Sequence, residues 1–250
     1  MNKIFLSVVI PSYDEMTNLQ KGVLDKIEHF LTKKKFGYEV IIVDDGSKDG
    51  SCEFVEEFIK ENPNFRLIKN SHMGKAGSVT TGVLEAKGDY ILFTDMDQAT
   101  PIEQTEKLLP CFSEGFDVVI GSRLQRKGSP LTRRLMSKSV IVIRSFLIGL
   151  PDIRDTQCGF KMFTKKAAYD LFNKIKNLHN GFKKIQGSSV TAGFDVELLY
   201  LAEKHRYKIK EVPIEWLYVE TRRVNPIKDS FDGLIDLIKI KMNIAKGVYK

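Results

Sequence analysis

The sequence predicts an α/β fold built on a mainly parallel central sheet with helices on both faces. Two observations carry that prediction. Short apolar, β-branched runs recur through the first 120 residues, and segments with helical spacing separate them. The runs are also nearly continuous in apolar character, the mark of strands buried on both sides. With 42% hydrophobic residues in a chain of 250, an ordinary core can form, which excludes disorder as the main state.

Taken in order, strands are expected at 5–10 (FLSVVI), 39–43 (EVIIV), 65–69 (FRLIK), 89–93 (DYILF) and 116–120 (FDVVI). Helical spacing falls at about 16–32, 51–61, 74–87 and 101–113. The last helix is expected to open with Thr100 as N-cap, Pro101 at its first position and Glu103 at N3, close to a capping box. Ligands of such sheets bind beyond the carboxyl ends of the strands. That directs attention to Pro11–Glu15, Asp44–Ser47, Asp95–Gln98 and Gly121–Arg123.

Beyond residue 121 the pattern loosens. Residues 123–134 are basic and polar, and 131–150 read as an amphipathic helix with Arg133, Arg134, Lys138 and Arg144 on one side. Its apolar side suits either a lipid interface or the covering of the sheet. Residues 173–193 read as a loop. A second amphipathic helix closes the chain, with Ile227, Phe231, Leu234, Ile235, Ile238, Met242 and Ala245 on one stripe. Core cover, self-association and membrane contact all remain open for that stripe. The division expected is a main domain over 1–225 and an appended helix over 226–250.

The net charge of +7 is unevenly spread: residues 1–120 hold 13 basic and 20 acidic residues, residues 121–250 hold 26 and 12. An acidic half suits a metal or a polar ligand, and a basic half suits a polyanion. Nucleic acid is the least favoured partner, because the basic half carries no recognisable reading module. Cys52, Cys111 and Cys158, three and far apart, give neither a disulfide framework nor a zinc pattern, so a reducing compartment is expected. The apolar run at the N-terminus ends at Pro11 and reads as a strand, not a signal peptide. The longest apolar stretch, 140–150, is broken by Arg144 and is far short of the roughly 18 residues a spanning helix needs.

Two short motifs are set aside. Asp45 to Gly50, with Glu56 twelfth in the series, fits a calcium loop, yet a strand rather than a helix enters it. Gly74-Lys75-Ala76-Gly77 lacks the Ser or Thr and the earlier glycine of a Walker loop, although glycines opening a helix beside a lysine can still receive a phosphate. The strongest signal is Thr94-Asp95-Met96-Asp97 directly after a strand. Two carboxylates spaced i, i+2 there suit Mg²⁺ or Mn²⁺ holding a diphosphate, and Asp44-Asp45 supplies a second acidic strand end expected beside the first.

VVIPSYDE, IIVDDGSKDGS, GKAGSVTTG, TDMDQATP, VIGSR, RDTQCGFKMF and FDVELLYLA follow one another in this order. Over about residues 5–225 the chain resembles a family 2 glycosyltransferase of the GT-A fold, and RDTQCGFK resembles the polyprenyl-phosphate branch that includes the dolichyl-phosphate β-glucosyltransferases. The resemblance implies a Rossmann-like nucleotide-binding sheet and an inverting transfer of a hexose from a nucleotide sugar. UDP-glucose is the implied donor, with GDP-mannose the alternative. The implied acceptor is a polyprenyl phosphate, with a hydroxyl of a glycan or small molecule as the alternative.

The same resemblance places Pro11, Tyr13, Glu15, Asp44 and Asp45 around the nucleoside, one carboxylate accepting a hydrogen bond from the base. Asp95 and Asp97 become the metal-binding DxD pair, with Asp97 the more direct ligand, and Lys75 lies near the donor phosphates. Arg123 faces the acceptor, joined on the basic side by Arg133, Arg134, Arg222 and Arg223. Asp195 occupies the position where hydroxyl-directed members keep a general base; toward a lipid phosphate it becomes a positioning residue. A peripheral site on the cytoplasmic face of an anionic membrane follows from the lipid acceptor. The chain departs from the family in lacking the N-terminal anchor of eukaryotic members and in a longer 173–193 segment. His72, His179 and Trp216 are read as structural or surface residues, and the cysteines as inert. A non-catalytic nucleotide-sugar or calcium-binding module is the reading from another class, and the intact DxD, DDGS and FDVE motifs weigh against it.

Overall fold

The computed structural model describes residues 3–123, 148–182, 192–217 and 226–249. Its chain order is β1 (Ile4–Ser12), α1 (Met16–Leu19), α2 (Val23–Thr32), β2 (Gly37–Asp44), α3 (Ser51–Glu61), β3 (Phe65–Lys69), α4 (Gly74–Glu85) and β4 (Tyr90–Thr94). There follow a 3₁₀ turn (Ile102–Gln104), α5 (Thr105–Ser113), β5 (Val118–Ser122), β6 (Phe160–Thr164), α6 (Lys165–Leu178), α7 (Ala192–Lys204), β7 (Ile209–Pro213) and α8 (Pro226–Ala245).

The strands form one seven-stranded sheet in the order β3-β2-β1-β4-β6-β5-β7. β3, β2, β1 and β4 run parallel, and β5 is parallel to β7. Only β6 is reversed, antiparallel to both β4 and β5. Alternate strand residues face opposite layers. Val9, Ile41, Val43 and Phe93 pack with Val79 of α4, Leu171 and Phe172 of α6, and Leu198 of α7. Val8, Ile10, Ile42 and Leu92 pack with Leu24 and Ile27 of α2, Val55 of α3 and Leu108 of α5. The two-sided burial that the apolar strands predicted is therefore met by helices on both faces. No helix among the described residues is long and apolar enough to cross a membrane.

All five expected strands form. The helices differ in instructive ways. The single helix expected over 16–32 is two, because Gly22 takes φ 71°, a left-handed conformation that ends one helix and opens the next. Thr100 caps nothing: Pro101 stays extended at ψ 144°, so a 3₁₀ turn at Ile102 precedes α5. The loop expected from 173 starts later, since α6 continues to Leu178 on the apolar stripe Ala167, Ala168, Leu171, Phe172 and Ile175. The basic helix expected over 131–150 lies outside the described residues apart from its last three.

The closing helix is where expected, but its burial is the reverse of a simple core cover. Leu237 and Ile240 are buried against the sheet-side core, while Leu234, Ile235, Ile238 and Met242 of the sequence stripe point to solvent. Ile227 and Phe231 of that stripe have side chains outside the described set.

Candidate active site

Two acidic strand ends reach the same rim of the sheet, as expected, but they are not neighbours. β1 lies between β2, which ends in Asp44, and β4, which ends before Asp95. The loop after β1 is therefore flanked by both.

The β1–β2 side is laced together by its own backbone. Register pairs Pro11 with Val43 and Ser12 with Asp44. Asp14 N–H donates to Ser47 Oγ, Glu15 N–H to Ser51 Oγ at 2.8 Å, and Lys48 N–H to Asp14 Oδ1. Tyr13 stacks on His72, with centroids 4.3 Å apart and planes at 22°. His72 thus joins the pocket expected for a nucleoside, a place the sequence reading did not give it. Asp45 is tied to α4. Its Oδ1 accepts from Met73 N–H and its Oδ2 from Gly74 N–H, both at 2.7 Å, and His72 Nδ1 lies 3.0 Å from Oδ2. It caps the start of α4. Asp44 Oδ2 accepts from Gly46 and Ser47 N–H, whereas Asp44 Oδ1 is buried with no hydrogen-bond partner among the described residues. A buried acceptor left open is costly unless a ligand uses it. In the segment resembling a calcium loop, the carboxylates of Asp45 and Asp49 accept backbone N–H groups and the Ser51 hydroxyl, and β2 rather than a helix enters it.

The β4 side is built differently. Asp95, Asp97, Thr94, Ala99, Thr100, Arg123, Cys158, Gly159 and Trp216 line one cleft. Trp216, read from the sequence as structural or surface, forms part of this cleft wall. Asp97 Oδ1 accepts from Ala99 N–H at 3.0 Å. Burial and then the Asp95 charge raise the Asp97 pKa above the usual carboxylate range. Lys75, from the first turn of α4, places Nζ 2.6 Å from Asp95 Oδ1. Burial opposes its ammonium, but the Asp95 and Asp195 carboxylates outweigh that and raise its pKa.

The RDTQCGFK segment turns out to hold this cleft together. The Asp155 carboxylate clamps Arg123 through Nε and Nη2, both at 2.7 Å, and also accepts its backbone N–H. Arg123 therefore spends much of its guanidinium on Asp155, although it still lines the cleft, so the expected acceptor contact is at most part of its role. Glu211 of β7 accepts the N–H groups of Arg154 and Asp155, fixing that clamp to the sheet. Gly159 has a steric reason: a Cβ there would lie 1.9 Å from Asp95 Oδ2. Lys161 is fully buried on β6 and donates to Asp195 Oδ1 at 2.5 Å and to Cys158 O at 2.6 Å. Burial pushes the Cys158 thiol up to about 11, so it is inert at neutral pH. Asp155 and Lys161 were missed as functional residues, although a lysine inside the apolar run FKMF was a signal for a buried charge. Arg133, Arg134, Arg222 and Arg223 lie outside the described residues.

Asp95 and Asp97 fit a hard divalent cation. They converge on one cleft, burial and the Asp95 charge oppose ionisation of Asp97, and Lys75 already provides a cation at 2.6 Å from Asp95. No group of three or more metal-ligating side chains occurs among the described residues. Mg²⁺ takes one or two carboxylates from a protein and shares its other positions with water and substrate phosphates.

A profile described as glycosyl transferase family 2 matches residues 7–172. The chain belongs to glycosyltransferase family 2. Its relatives include proteins named dolichyl-phosphate beta-glucosyltransferase from Dictyostelium discoideum, 33% identical over all of this chain and 78% of that protein, and from Saccharomyces cerevisiae, 35% identical over 99% and 77%. The human protein of that name is 31% identical over 98% and 77%. Among solved structures, mannosyl-3-phosphoglycerate synthase from Rubrobacter xylanophilus superposes with a TM-score of 0.66 at 14% identity, covering 97% of this chain and 75% of that one. A Pyrobaculum calidifontis mannosyltransferase in complex with GDP-Man and Mn²⁺ gives 0.55 at 16% identity, covering 87% and 57%. Those likenesses establish the GT-A fold of this family 2 glycosyltransferase.

Proposed function

We propose that this family 2 glycosyltransferase transfers glucose from UDP-glucose to a dolichyl-type polyprenyl phosphate, inverting the anomeric centre. Relatives matching essentially the whole chain carry that activity in their names. The observation that carries the choice of acceptor is the Lys161–Asp195 pair. Where hydroxyl-directed members keep a base, this chain holds the carboxylate on a buried ammonium at 2.5 Å. A phosphate monoester, with a second pKa of about 6, is already mostly ionised at neutral pH and needs no base.

In this reading the base of the donor docks against Tyr13 and His72, and its N–H donates to the open Asp44 Oδ1. Asp95 and Asp97 would hold Mg²⁺ or Mn²⁺, which stabilises the negative charge of the departing nucleotide without proton transfer. Lys75 exchanges its Asp95 contact for a donor phosphate oxygen. An acceptor phosphate oxygen attacks the anomeric carbon as its bond to the diphosphate breaks, giving a β-linked product from an α-linked donor. Arg123, held by Asp155, orients that phosphate with the basic groups of the second half. The lipid acceptor brings the enzyme to a membrane face.

The test is a matrix of UDP- and GDP-sugars against a short, water-soluble polyprenyl phosphate, with and without chelator. Turnover of UDP-glucose alone, abolished by chelator and restored by Mn²⁺, is expected. Replacing Asp195 by Asn should leave measurable transfer to the lipid phosphate. Its complete loss, together with transfer by the wild type to a hydroxyl acceptor, would overturn the choice of acceptor.

A further inference from the structure

α8 presents two apolar faces, and only one is used within the protein. Leu237 and Ile240 are buried beside α7 and the sheet. Leu234, Ile235, Ile238 and Met242 are 39%, 36%, 47% and 50% exposed, on positions that a helix of 3.6 residues per turn brings to one side. Val248, just past the helix end, is 45% exposed. These five make up all but one of the exposed large hydrophobic residues among the described ones, the other being Leu217. Exposed apolar residues scattered singly need no explanation; a contiguous row does.

The margins of the row say what covers it. Helical spacing sets Lys239 and Lys246 along one edge and Lys241 along the other, and all three are exposed. Asp236 turns inward instead, toward Gly193 N–H at 3.4 Å. The described outer face is thus apolar with cationic margins, and the one described carboxylate beside it, Asp236, is shared between Gly193 and Lys239 Nζ at 3.4 Å. A second copy packed on it by two-fold symmetry would bring lysine edges together, with Asp236 already shared by Lys239 and Gly193. Lysines on both borders of an apolar stripe instead let the stems lie along acyl chains while the ammoniums reach lipid phosphates.

We propose that this outer stripe of α8 is the face by which the enzyme docks on an anionic lipid bilayer. The inference rests on the reading that the acceptor is a polyprenyl phosphate. α8 packs directly on α7, and its Asp236 meets Gly193, two residues before Asp195. A docked stripe therefore seats the helix bearing Asp195 about one helix diameter, ~10 Å, above the membrane surface. With the stripe sunk about 5–10 Å into the headgroup boundary, that helix comes down toward the level of the lipid phosphates.

The experiment is flotation of the full chain with phosphatidylcholine vesicles, with and without phosphatidylserine. Wild type should float with the anionic vesicles only, and added salt should release it. Combined Ile238→Glu and Met242→Glu should weaken partitioning about tenfold or more. Reversal of Lys239, Lys241 and Lys246 to Glu should cost about fivefold per lysine removed. Both variants should keep the circular dichroism and thermal midpoint of the wild type, and its turnover of the soluble acceptor. Equal flotation of wild type and variants, flotation with neutral vesicles alone, or a dimer that the Glu variants dissociate would each overturn the docking face. Turnover of the soluble acceptor reports separately on the proposed function: turnover without vesicle binding sinks only the docking face, and vesicle binding without turnover sinks only the reaction.

Discussion

The carboxylates after β2 and those after β4 sit on the same rim, one strand apart, and have opposite surroundings. Asp44 and Asp45 are 4% and 3% exposed, and three of their four oxygens accept from N–H groups of their own chain. Asp95 and Asp97 accept one backbone N–H among the contacts described for them and face a lysine and each other across a cleft. Acids whose charge is neutralised by fixed dipoles hold a loop in shape. Acids left with excess negative charge in a cleft attract a cation. The same residue type on the same rim thus meets fixed N–H dipoles in one place and a lysine across a cleft in the other.

The sharpest way to break that contrast is Gly159→Ala. Its methyl group would overlap the Asp95 carboxylate, at 1.9 Å from Oδ2, and the carboxylate is the part free to move. A displacement of about 1 Å should lower kcat/KM about a hundredfold while the thermal midpoint stays nearly unchanged. A large loss of stability with wild-type kcat/KM would show that the contact is architectural after all.

Next in size is Asp45→Ala, with the opposite signature. It strips the acceptor from Met73 and Gly74 N–H and should cost about 2–3 kcal/mol of folding stability, read by urea denaturation. Asp44→Asn separates the pair further. The Asn oxygen can still receive Gly46 and Ser47 N–H, but its amide turns the open Oδ1 position into a donor. Donor KM should rise about tenfold with stability held, the size of one lost hydrogen bond; an unchanged KM removes Asp44 from base recognition.

The smallest effect lies away from both pairs. His179 Nε2 meets Glu197 at 2.6 Å, and that hydrogen bond raises the imidazole pKa over the opposing effect of burial. The folded pKa exceeds the unfolded one, so the contribution is complete below about pH 6.5 and disappears as pH rises through the raised value. His179→Gln should lower the thermal midpoint slightly at acidic pH and leave it unaltered at alkaline pH. A difference that grows with pH would contradict the pairing.

Much of the fold was legible because the strands are apolar on both faces and the breaks are glycines and prolines. FLSVVI, EVIIV and DYILF can be buried only between two layers. What local pattern misled was direction and commitment. The stripe of α8 is periodic, but periodicity does not say which of two apolar sides turns inward; Leu237 and Ile240 won because they fit against the packed layer of α7. Asp45 looked equivalent to Asp44 in sequence, and only the arrival of the α4 N-terminus distinguishes them. Lys161 was hidden in a strand, since its partner Asp195 is 34 residues away. In each case the deciding contact was long-range.

The reversed direction of β6 has a consequence for how such a protein can vary. Thr94 pairs with Phe160, so the end at which β4 finishes is the end at which β6 begins. The chain leaves β5 and re-enters the sheet on one rim, with no need to cross it. Closing a connection of that kind costs only about 0.6 kcal/mol more for each doubling of its length. Residues can be added or removed between Arg123 and Asp155, which clamp each other, without re-threading a single strand.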